Sequence, residues 1–564
     1  TYDGNGNRLT VTDPAGNETL SEYDRAGNLL REINALGGVT EYTYDEVGLP
    51  LTVTDATGAT QTMTYDLAGN LLTRTLANGA TLSVAYDSMN RPIRQVNALG
   101  GVTEIEYDLL GRITRVTDPL GADTAYTYDK NGNLLTVTDA LGNVTSYAYD
   151  ALGRLIFETA PNGGVTRYAY DNTGNLLSIM DALGGVTRYQ YDENGNLVAM
   201  TDALGETVSL EYNPNGSATT AIKKNGGVLA TGYDKAGRVV SETDANGHTT
   251  KYSYSRNGLV TKITDALGQQ ASFAYDVLGN LVKITAPGKA ITLYEYDSAG
   301  RVLSMTDPEG CVTEYGYNEN SQIARMTVNG NATLYEYDAA GNIAAVTDAE
   351  GRRVEFAYDP NGNLTGIVYP DGTKDTTQYD ALGRVLKNTP RTGLATAYEY
   401  DVVGNIVSVT RGEQATRYAY DILGRMVAVT APDGTETAYT YDALGNLTGE
   451  TDPLGNVTAF AYTAESLLEK VTYANGTTQS LTYDPAGNVT AETDAEGNTK
   501  EYQYDKVNRL TAVIDELGNK TSYKYDALDN IAQVTDALKH ITRYTYDKNG
   551  NLLTETDALG NRVR

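Results

Sequence analysis

Short alternating segments and turn signals recur along the whole chain. In Thr145-x-Tyr147-x-Tyr149 the side chains repeat with a period of two, which is the period of a β-strand. A second segment begins at Leu134, two residues after a glycine, and is rich in Thr and Val, which favour strands. No segment keeps a helical period. The pattern therefore predicts an all-β chain, a meander of about 54 short strands with two in each repeat.

A register tyrosine marks the repeat and recurs from Tyr2 to Tyr546. Its 27 occurrences are 21 residues apart, except for two spacings of 20 that end at Tyr337 and Tyr420, and Asp follows 23 of them. A fixed period is the signature of a repeat architecture. We therefore predict one continuous array of β-hairpin repeats over residues 1–564, beginning and ending in mid-repeat.

Each repeat carries two turn signals, exemplified by Asp129-x-x-Gly132 and Asp139-x-x-Gly142. An Asp at the first position can accept hydrogen bonds from backbone N–H groups further on, and a Gly at the last position supplies a positive φ. We expect these four residues to be structural positions of the repeat. The strand residues expected to join them are Tyr128, Leu134, Thr145, Tyr147 and Tyr149.

Five repeats replace the glycine of the first turn, with Asn90, Ser321, Ser466, Asn508 and Asp529. Asn and Asp tolerate the left-handed backbone region best among non-glycine residues. We therefore predict left-handed geometry at this position. The two serines fit that geometry less well, and their turns are expected to differ.

The position two residues before the register tyrosine is aromatic in most repeats: Tyr in fifteen, and Phe273, Phe356 and Phe460 in three more. One face of this strand thus carries a row of Thr, aromatic and Tyr side chains. Cross-strand pairs of this kind stabilise a sheet by about 0.2–1 kcal/mol each. A platform for glycans is the alternative use of an aromatic face, and packing is the preferred interpretation.

An open, flat sheet of this size is not plausible, because sheets of more than about ten strands curl or close. Strands about 4.8 Å apart make a ribbon roughly 260 Å long, which would coil about twice at a radius of about 20 Å. Side chains cannot fill so wide an interior. We therefore expect one long antiparallel sheet, coiled into a spiral that forms a hollow shell or barrel.

The amino-acid composition supports a thin β-sheet, and the net charge disfavours some classes of partner. The chain has 44 Tyr and 58 Gly but only four Phe and no Trp, which suits a thin, turn-rich sheet. With 43 basic and 73 acidic residues the net charge is −30, which disfavours nucleic acids and anionic membranes. The single cysteine, Cys311, excludes an internal disulfide.

Candidate catalytic groups are few. The carboxylates recur at turn positions, where capping of the turn explains them, and no repeat stands out as an acid–base pair. His248 and His540 lie far apart in sequence on expected surface turns, and Cys311 has no histidine nearby to activate it. We therefore predict no catalytic residue, no metal site, no cofactor and no enzyme activity.

Calcium binding is the metal chemistry that the sequence comes nearest to. Five Asp-x-Asn-x-Asn segments echo the first half of a calcium loop but lack its closing Glu. They begin at Asp3, Asp129, Asp192, Asp359 and Asp547.

The unit Tyr-Asp-x-x-Gly-Asn/Arg-Leu, followed by Thr-Asp-x-x-Gly and Thr-x-Tyr-x-Tyr-Asp, resembles the YD repeat of Rhs proteins, Tc-toxin cocoon subunits, wall-associated bacterial proteins and teneurins. The match covers essentially the entire chain. The resemblance implies a spiralling β-sheet shell. In bacterial toxins such shells enclose a C-terminal toxin domain, and in teneurins a related barrel belongs to an adhesion receptor.

One feature of toxin-type Rhs proteins is missing. They end their shell with a DPxGL-like segment at which self-cleavage frees the toxin. Here the two Asp-Pro-Leu-Gly segments that begin at Asp118 and Asp452 are followed by Ala122 and Asn456. We interpret both as ordinary second turns.

Ribbon geometry and resemblance together lead to the first hypothesis: a structural encapsulating shell of a large secreted or injected bacterial Rhs-type toxin, around a toxin domain that lies outside this segment. The alternative is an extracellular structural, adhesion or carbohydrate-binding protein of the cell envelope. Both hypotheses place the chain outside the cell or on its surface.

Overall fold

The computed structural model describes residues 1–564 and contains 54 β-strands, in agreement with the prediction of two per repeat, and one 3₁₀ turn at Pro287–Lys289. The odd-numbered strands begin near an aliphatic residue: β1 (Thr10–Thr12), β3 (Leu29–Ile33), β5 (Pro50–Thr54), β7 (Leu71–Thr75), β9 (Pro92–Val96), β11 (Ile113–Thr117), β13 (Leu134–Thr138), β15 (Leu155–Thr159), β17 (Leu176–Met180), β19 (Leu197–Thr201), β21 (Ala218–Ile222), β23 (Val239–Thr243), β25 (Val260–Thr264), β27 (Leu281–Thr285), β29 (Val302–Thr306), β31 (Ile323–Val328), β33 (Ile343–Thr347), β35 (Leu364–Val368), β37 (Val385–Thr389), β39 (Ile406–Arg411), β41 (Met426–Thr430), β43 (Leu447–Thr451), β45 (Leu468–Thr472), β47 (Val489–Thr493), β49 (Leu510–Ile514), β51 (Ile531–Thr535) and β53 (Leu552–Thr556).

The even-numbered strands, except the last, end at a register tyrosine: β2 (Glu18–Tyr23), β4 (Val39–Tyr44), β6 (Thr60–Tyr65), β8 (Thr81–Tyr86), β10 (Val102–Tyr107), β12 (Asp123–Tyr128), β14 (Val144–Tyr149), β16 (Val165–Tyr170), β18 (Val186–Tyr191), β20 (Thr207–Tyr212), β22 (Val228–Tyr233), β24 (Thr249–Tyr254), β26 (Gln270–Tyr275), β28 (Ile291–Tyr296), β30 (Val312–Tyr317), β32 (Asn331–Tyr337), β34 (Arg353–Tyr358), β36 (Lys374–Tyr379), β38 (Thr396–Tyr400), β40 (Gln414–Tyr420), β42 (Glu436–Tyr441), β44 (Val457–Tyr462), β46 (Thr478–Tyr483), β48 (Thr499–Tyr504), β50 (Lys520–Tyr525), β52 (Ile541–Tyr546) and β54 (Arg562–Val563).

All strands belong to one antiparallel meander. Each strand pairs with the strands before and after it in the chain, as β13 does with β12 and β14. The first strand, β1, pairs only with β2, and the last strand, β54, pairs only with β53. The sheet therefore keeps two edges and does not close into a barrel through its backbone hydrogen bonds.

Two kinds of hairpin alternate. The first turn, such as residues 129–132, joins an even strand to the next odd strand, and a β-bulge lies beside it at the register tyrosine. The second turn, such as residues 139–142, joins an odd strand to the next even strand. The ladder between these two strands has three residue pairs and no bulge. Bulges increase strand twist, so a bulge beside every first turn gives the ribbon a repeated bend.

The two 20-residue repeats shorten the second turn to two residues. Asn329 and Gly330 join β31 to β32 with φ values of 50° and 83°, the pattern of a type I′ hairpin. Between β39 and β40, Gly412 has a φ of 64° in a two-residue turn with Glu413. The missing residue is thus absorbed in the turn, and the strands keep their pairing.

The left-handed geometry predicted for the first turn is confirmed: Gly132 has a φ of 93°, and Asn90, Asn508 and Asp529 have values of 60°, 62° and 68°. The expectation that the two serine turns differ is wrong. Ser321 and Ser466 have φ values of 61° and 59°, and each donates its backbone N–H to the turn's first residue as the glycines do. The paired strands on either side hold the turn, so the serines are forced into the same backbone region.

The ribbon coils upon itself, as expected. Hydrogen bonds join residues 238–264 positions apart, such as Asn246 to Asp484 and Asn34 to Ser298. These separations correspond to about twelve repeats, or about 24 strands, in each turn of the coil. At a strand spacing of about 4.8 Å the coil has a radius of about 18 Å. The chain therefore makes a little more than two turns.

The structure has almost no core. Only 15 of 564 residues are buried, and the solvent-accessible area is 31,444 Å². A compact globule of 60.5 kDa would expose about 19,500 Å². The excess area belongs to a sheet of a single layer with both faces in solvent. Side chains just fill a barrel of about eight strands, so a coil with about 24 strands per turn is hollow.

Candidate functional site

The repeat motif builds a self-contained first turn. In residues 129–132, the Oδ1 atom of Asp129 accepts hydrogen bonds from the backbone N–H groups of Asn131 and Asn133, at 2.8 and 2.9 Å. Its Oδ2 atom accepts one from the Asn133 side-chain amide at 2.8 Å. These donors, the Asn133 amide first among them, lower the pKa of Asp129 below its usual value. The carboxylate is therefore a structural anion whose oxygens are already engaged.

Eight repeats place Arg where Asn133 stands, and this Arg also joins neighbouring repeats. Arg112 donates from Nε to Asp108 at 2.7 Å within its own turn and from its guanidinium to the backbone oxygen of Asp129 at 2.8 Å. The guanidinium lies over the Tyr128 ring, 4.7 Å from its centre. The same stacking recurs at Arg91, Arg154, Arg238, Arg301, Arg384, Arg425 and Arg509. The sequence motif showed that this position is Asn or Arg. It did not show that the Arg contacts the next repeat.

The register tyrosine closes a gap in the sheet. The ladder between β11 and β12 has three residue pairs and stops at Arg115 and Ala125. Beyond that point the Tyr128 hydroxyl donates to the backbone oxygen of Ile113 at 2.9 Å. Twenty of the 27 register tyrosines make the equivalent bond. A carbonyl without a ladder partner is thus satisfied by a side chain.

The aromatic position two residues earlier has a different role. Tyr126 lies opposite Val137 on the neighbouring strand, as a cross-strand packing pair. The aromatic ring at this position therefore packs against the neighbouring strand.

The remaining predicted positions lie at the other end of the strands. Asp139 accepts from the backbone N–H groups of Leu141 and Asn143 at 2.9 Å, and Gly142 has a φ of 83°. Thr145 lies opposite Val137 in the ladder. The first and second turns thus form opposite edges of the ribbon, with the strands between them.

These two edges meet where successive turns of the coil touch, along a line that we call the seam. Second turns from Asp13 to Asp307 contact first turns from Asn257 to Asn549. Asn side chains provide many of the bonds: Asn257 to Asp13, Asn361 to Asp118 and Asn549 to Asp307, at 2.8, 2.6 and 2.7 Å. Side chains and turn backbone hold the seam, and no ladder of strand pairs crosses it.

The Asp-x-Asn-x-Asn segments are explained by the turn and the seam. The Asp and the last Asn form the turn, and the middle Asn of two segments, Asn361 and Asn549, donates across the seam. No group of three or more His, Cys, Asp or Glu side chains is placed to hold a metal ion.

The rare residues also occupy ordinary repeat positions. His540 follows the last residue of a second turn, and its Nδ1 lies 2.9 Å from Asp536, where other repeats have an Asn amide. His248 lies in the same way 3.4 Å from Asp244. The Cys311 thiol contacts Asn329 at 3.2 Å. The segments at Asp118 and Asp452 are second turns, as interpreted from the sequence.

No helix in the structure is long and apolar enough to pass through a membrane.

Two family models match the chain. The RHS repeat model matches residues 2–38 and then overlapping segments that together cover 170–228, 233–374 and 379–562. The chain belongs to the RHS repeat family. The teneurin YD-shell model matches residues 22–167 of this RHS repeat chain. No curated protein sequence matches it significantly.

Solved structures show the same fold at low identity. The crystal structure of TcdB2-TccC3 is 17% identical, with 97% of this chain and 37% of that chain covered and a TM-score of 0.58. The crystal structure of TcdB2-TccC3 without its hypervariable C-terminal region is 16% identical, with 98% of this chain and 39% of that chain covered and a TM-score of 0.58. A Photorhabdus luminescens Tc holotoxin pore is 14% identical, with 97% of this chain and 42% of that chain covered and a TM-score of 0.52. The chain spans about two fifths of the length of these proteins.

Proposed function

We propose that this RHS repeat chain is the encapsulating shell of a larger secreted or injected bacterial toxin and surrounds a polypeptide cargo. The observation that carries the proposal is the hollow coil: a single-layer sheet with 31,444 Å² of accessible area and only 15 buried residues. Such a wall separates an interior from the surroundings.

The wall is suited to that task. Its turns are locked by internal hydrogen bonds, and its seam is closed by contacts from Asn257–Asp13 to Asn549–Asp307. A protease needs an extended segment of several residues in its active site, whereas these connections are tight turns of two or four residues between paired strands. A chain held inside would be shielded by a wall that is itself difficult to cut.

The comparisons favour a toxin shell over an adhesive surface. The solved structures with this fold bear the names of Tc toxin components, and almost the whole chain superposes on them. The aromatic rows give less support to a glycan platform, because twenty register tyrosines already donate their hydroxyls to the backbone. Their rings are half-buried, and Arg side chains cover eight of them.

The test is limited proteolysis of the natural protein that contains this chain, read by intact mass and peptide mapping. We expect a non-repetitive polypeptide that resists protease in the native state and is cut rapidly once the shell is unfolded. The matched control is the same polypeptide produced without the repeats, which should be cut at once. Cleavage at equal rates with and without the shell, or a preparation that holds only repeats and an envelope anchor, would replace the shell by the adhesive alternative.

A further inference from the structure

Four hydrogen bonds across the seam share one chemistry. In each of them an Asn side-chain amide donates to an Asp carboxylate on the adjacent turn of the coil, and a glycine directly follows the Asn. The four pairs are Asn246 with Asp484, Asn257 with Asp13, Asn361 with Asp118 and Asn549 with Asp307, at 3.0, 2.8, 2.6 and 2.7 Å. These bonds to a charged acceptor are the strong polar contacts of the seam.

An Asn–Gly step is the place in a chain where an asparagine loses its amide most readily. The backbone nitrogen of the glycine attacks the side-chain carbonyl carbon of the Asn, and a C–N bond closes a five-membered succinimide ring. The amide nitrogen leaves as ammonia and carries away the proton of the glycine N–H. Water then opens the ring at one of its two C–N bonds, which leaves aspartate or isoaspartate. Glycine favours the attack because it has no side chain beside the attacking nitrogen.

The closed seam slows this reaction without excluding water from it. Asn257, Asn361 and Asn549 are exposed. The Gly362 N–H donates to the backbone carbonyl of Asp359 at 2.9 Å, and the Asn361 amide is held by the carboxylate across the seam. Both bonds must break before the glycine nitrogen reaches the Asn361 side chain. The reaction therefore takes place when the seam and the turn open together, as a local fluctuation of the folded protein.

Loss of the amide converts an attraction into a repulsion. Burial acts to raise the pKa of Asp307, but hydrogen bonds, the Asn549 side-chain amide first among them, hold it below its usual value. Asp307 is therefore an anion at neutral pH. A second carboxylate in place of the Asn549 amide donates no hydrogen bond, and two like charges so close together repel each other.

We propose that these four Asn–Gly steps are deamidation sites at which an opening of the seam becomes permanent. A turn that opens and reacts carries a new carboxylate that repels the Asp opposite, so it does not close again. The seam thus weakens irreversibly as the protein ages, and faster in mild alkali, which promotes removal of the glycine proton. The inference concerns the wall itself and does not depend on what the coil surrounds.

Ageing of the full chain at mildly alkaline pH tests the reaction. A sample unfolded in urea is the positive control, and the native protein is kept for many times longer than that sample needs to react. Peptide mapping by mass spectrometry locates aspartate and isoaspartate, and amide exchange is measured on the same samples. We expect both products to accumulate at the four Asn residues and exchange to rise in the turns opposite them, such as residues 118–122. Four steps that stay intact, or that react with no rise in exchange, would overturn the proposal.

Three variants separate repulsion from the loss of a bond. Asn361→Ala removes the donor and should speed amide exchange of residues 118–122 about tenfold or more. Asn361→Asp imitates the product and should speed it further, by an excess that high salt reduces. Asn361→Asp combined with Asp118→Asn exchanges donor and acceptor and should restore slow exchange.

The double variant is expected to fold, because Asn34 and Asn97 occupy the same turn position as Asp118 and donate their amides across the seam. Exchange in Asn361→Asp no faster than in Asn361→Ala would show that the new charge does not hold the seam open. A double variant that exchanges as fast as Asn361→Asp alone would show the same. Either result would overturn the proposal.

Discussion

In the fifteen repeats that carry tyrosine at both positions, the two tyrosines have different uses, and the hydroxyl oxygen distinguishes them. The sequence showed that the register position is always Tyr while the position two residues earlier accepts Phe273 or Phe356. The reason could not be read from the pattern, because it depends on where the ladder between strands stops. In the structure the Tyr128 hydroxyl donates to the Ile113 carbonyl, whereas the Tyr147 hydroxyl has no hydrogen-bond partner within the chain.

We predict that Tyr128→Phe destabilises its repeat by about 1 kcal/mol, because the Ile113 carbonyl loses its donor. Tyr147→Phe is the matched control and should change stability by much less. Hydrogen exchange of peptides that cover residues 113–147 measures the local effect. Equal protection in the two variants would show that the register hydroxyl does not hold the sheet.

Backbone geometry at the first turn was predictable from the sequence, because Gly, Asn and Asp all tolerate a positive φ. We predict that Gly132→Val destabilises its turn by about 1–3 kcal/mol, because a β-branched residue resists a φ of 93°. In the opposite direction, Ser466→Gly should relieve strain at a φ of 59°. Amide exchange near each turn checks both. An unchanged Gly132→Val protein would contradict the left-handed assignment.

At the scale of the turn and strand, the number and bounds of the strands followed closely from the period of two and the turn signals. The bulge beside every register tyrosine did not, because both strands look regular until their register is known. Several turns carry a carboxylate whose pKa is lowered by its hydrogen bonds. The Thr173 hydroxyl and Asn175 amide lower the pKa of Asp171 to about 2. Burial raises the pKa of register tyrosines such as Tyr44 and Tyr296.

These pKa shifts predict that the stability of the fold is constant near neutral pH and decreases in both acid and alkali. A lowered Asp pKa contributes stability that is present above the unfolded pKa of about 3.9 and is lost as the pH falls through the folded value. A raised Tyr pKa contributes stability that is present below the unfolded pKa of about 10 and is lost as the pH rises through the folded value. Thermal melts should therefore be flat near neutral pH and decline from about pH 4 toward 2 and above about pH 10. Absorbance of tyrosinate that rises before unfolding in alkali would show that the hydroxyls are free.

For the whole molecule, the strand count, the strand spacing and an assumed radius of about 20 Å led to a hollow coil of about two turns. The partners across the seam could not be predicted. Residues such as Asn34 and Ser298 are 264 positions apart, and which turns meet depends on a small bend repeated over about 24 strands. A slight change in that bend would shift the seam by a whole repeat. Two of the seam asparagines, Asn361 and Asn549, lie in the segments whose spacing echoes half of a calcium loop, and the sequence did not indicate that they bond to a distant turn.

One matched pair separates the seam from the turn. Asn361 and Asn131 are the middle Asn of the same motif, but only Asn361 has a partner, the Asp118 carboxylate at 2.6 Å. Asn361→Ala should weaken the seam and raise amide exchange around both residues 118–122 and 359–363, since a hydrogen bond to a charged group contributes about 1.5–3 kcal/mol. Asn131→Ala should leave exchange unchanged, because the Asn131 side chain has no hydrogen-bond partner in the structure. Equal effects of the two substitutions would show that the middle Asn acts only within its own turn. The Asn361–Asp118 hydrogen bond would then contribute nothing to holding successive turns of the coil together.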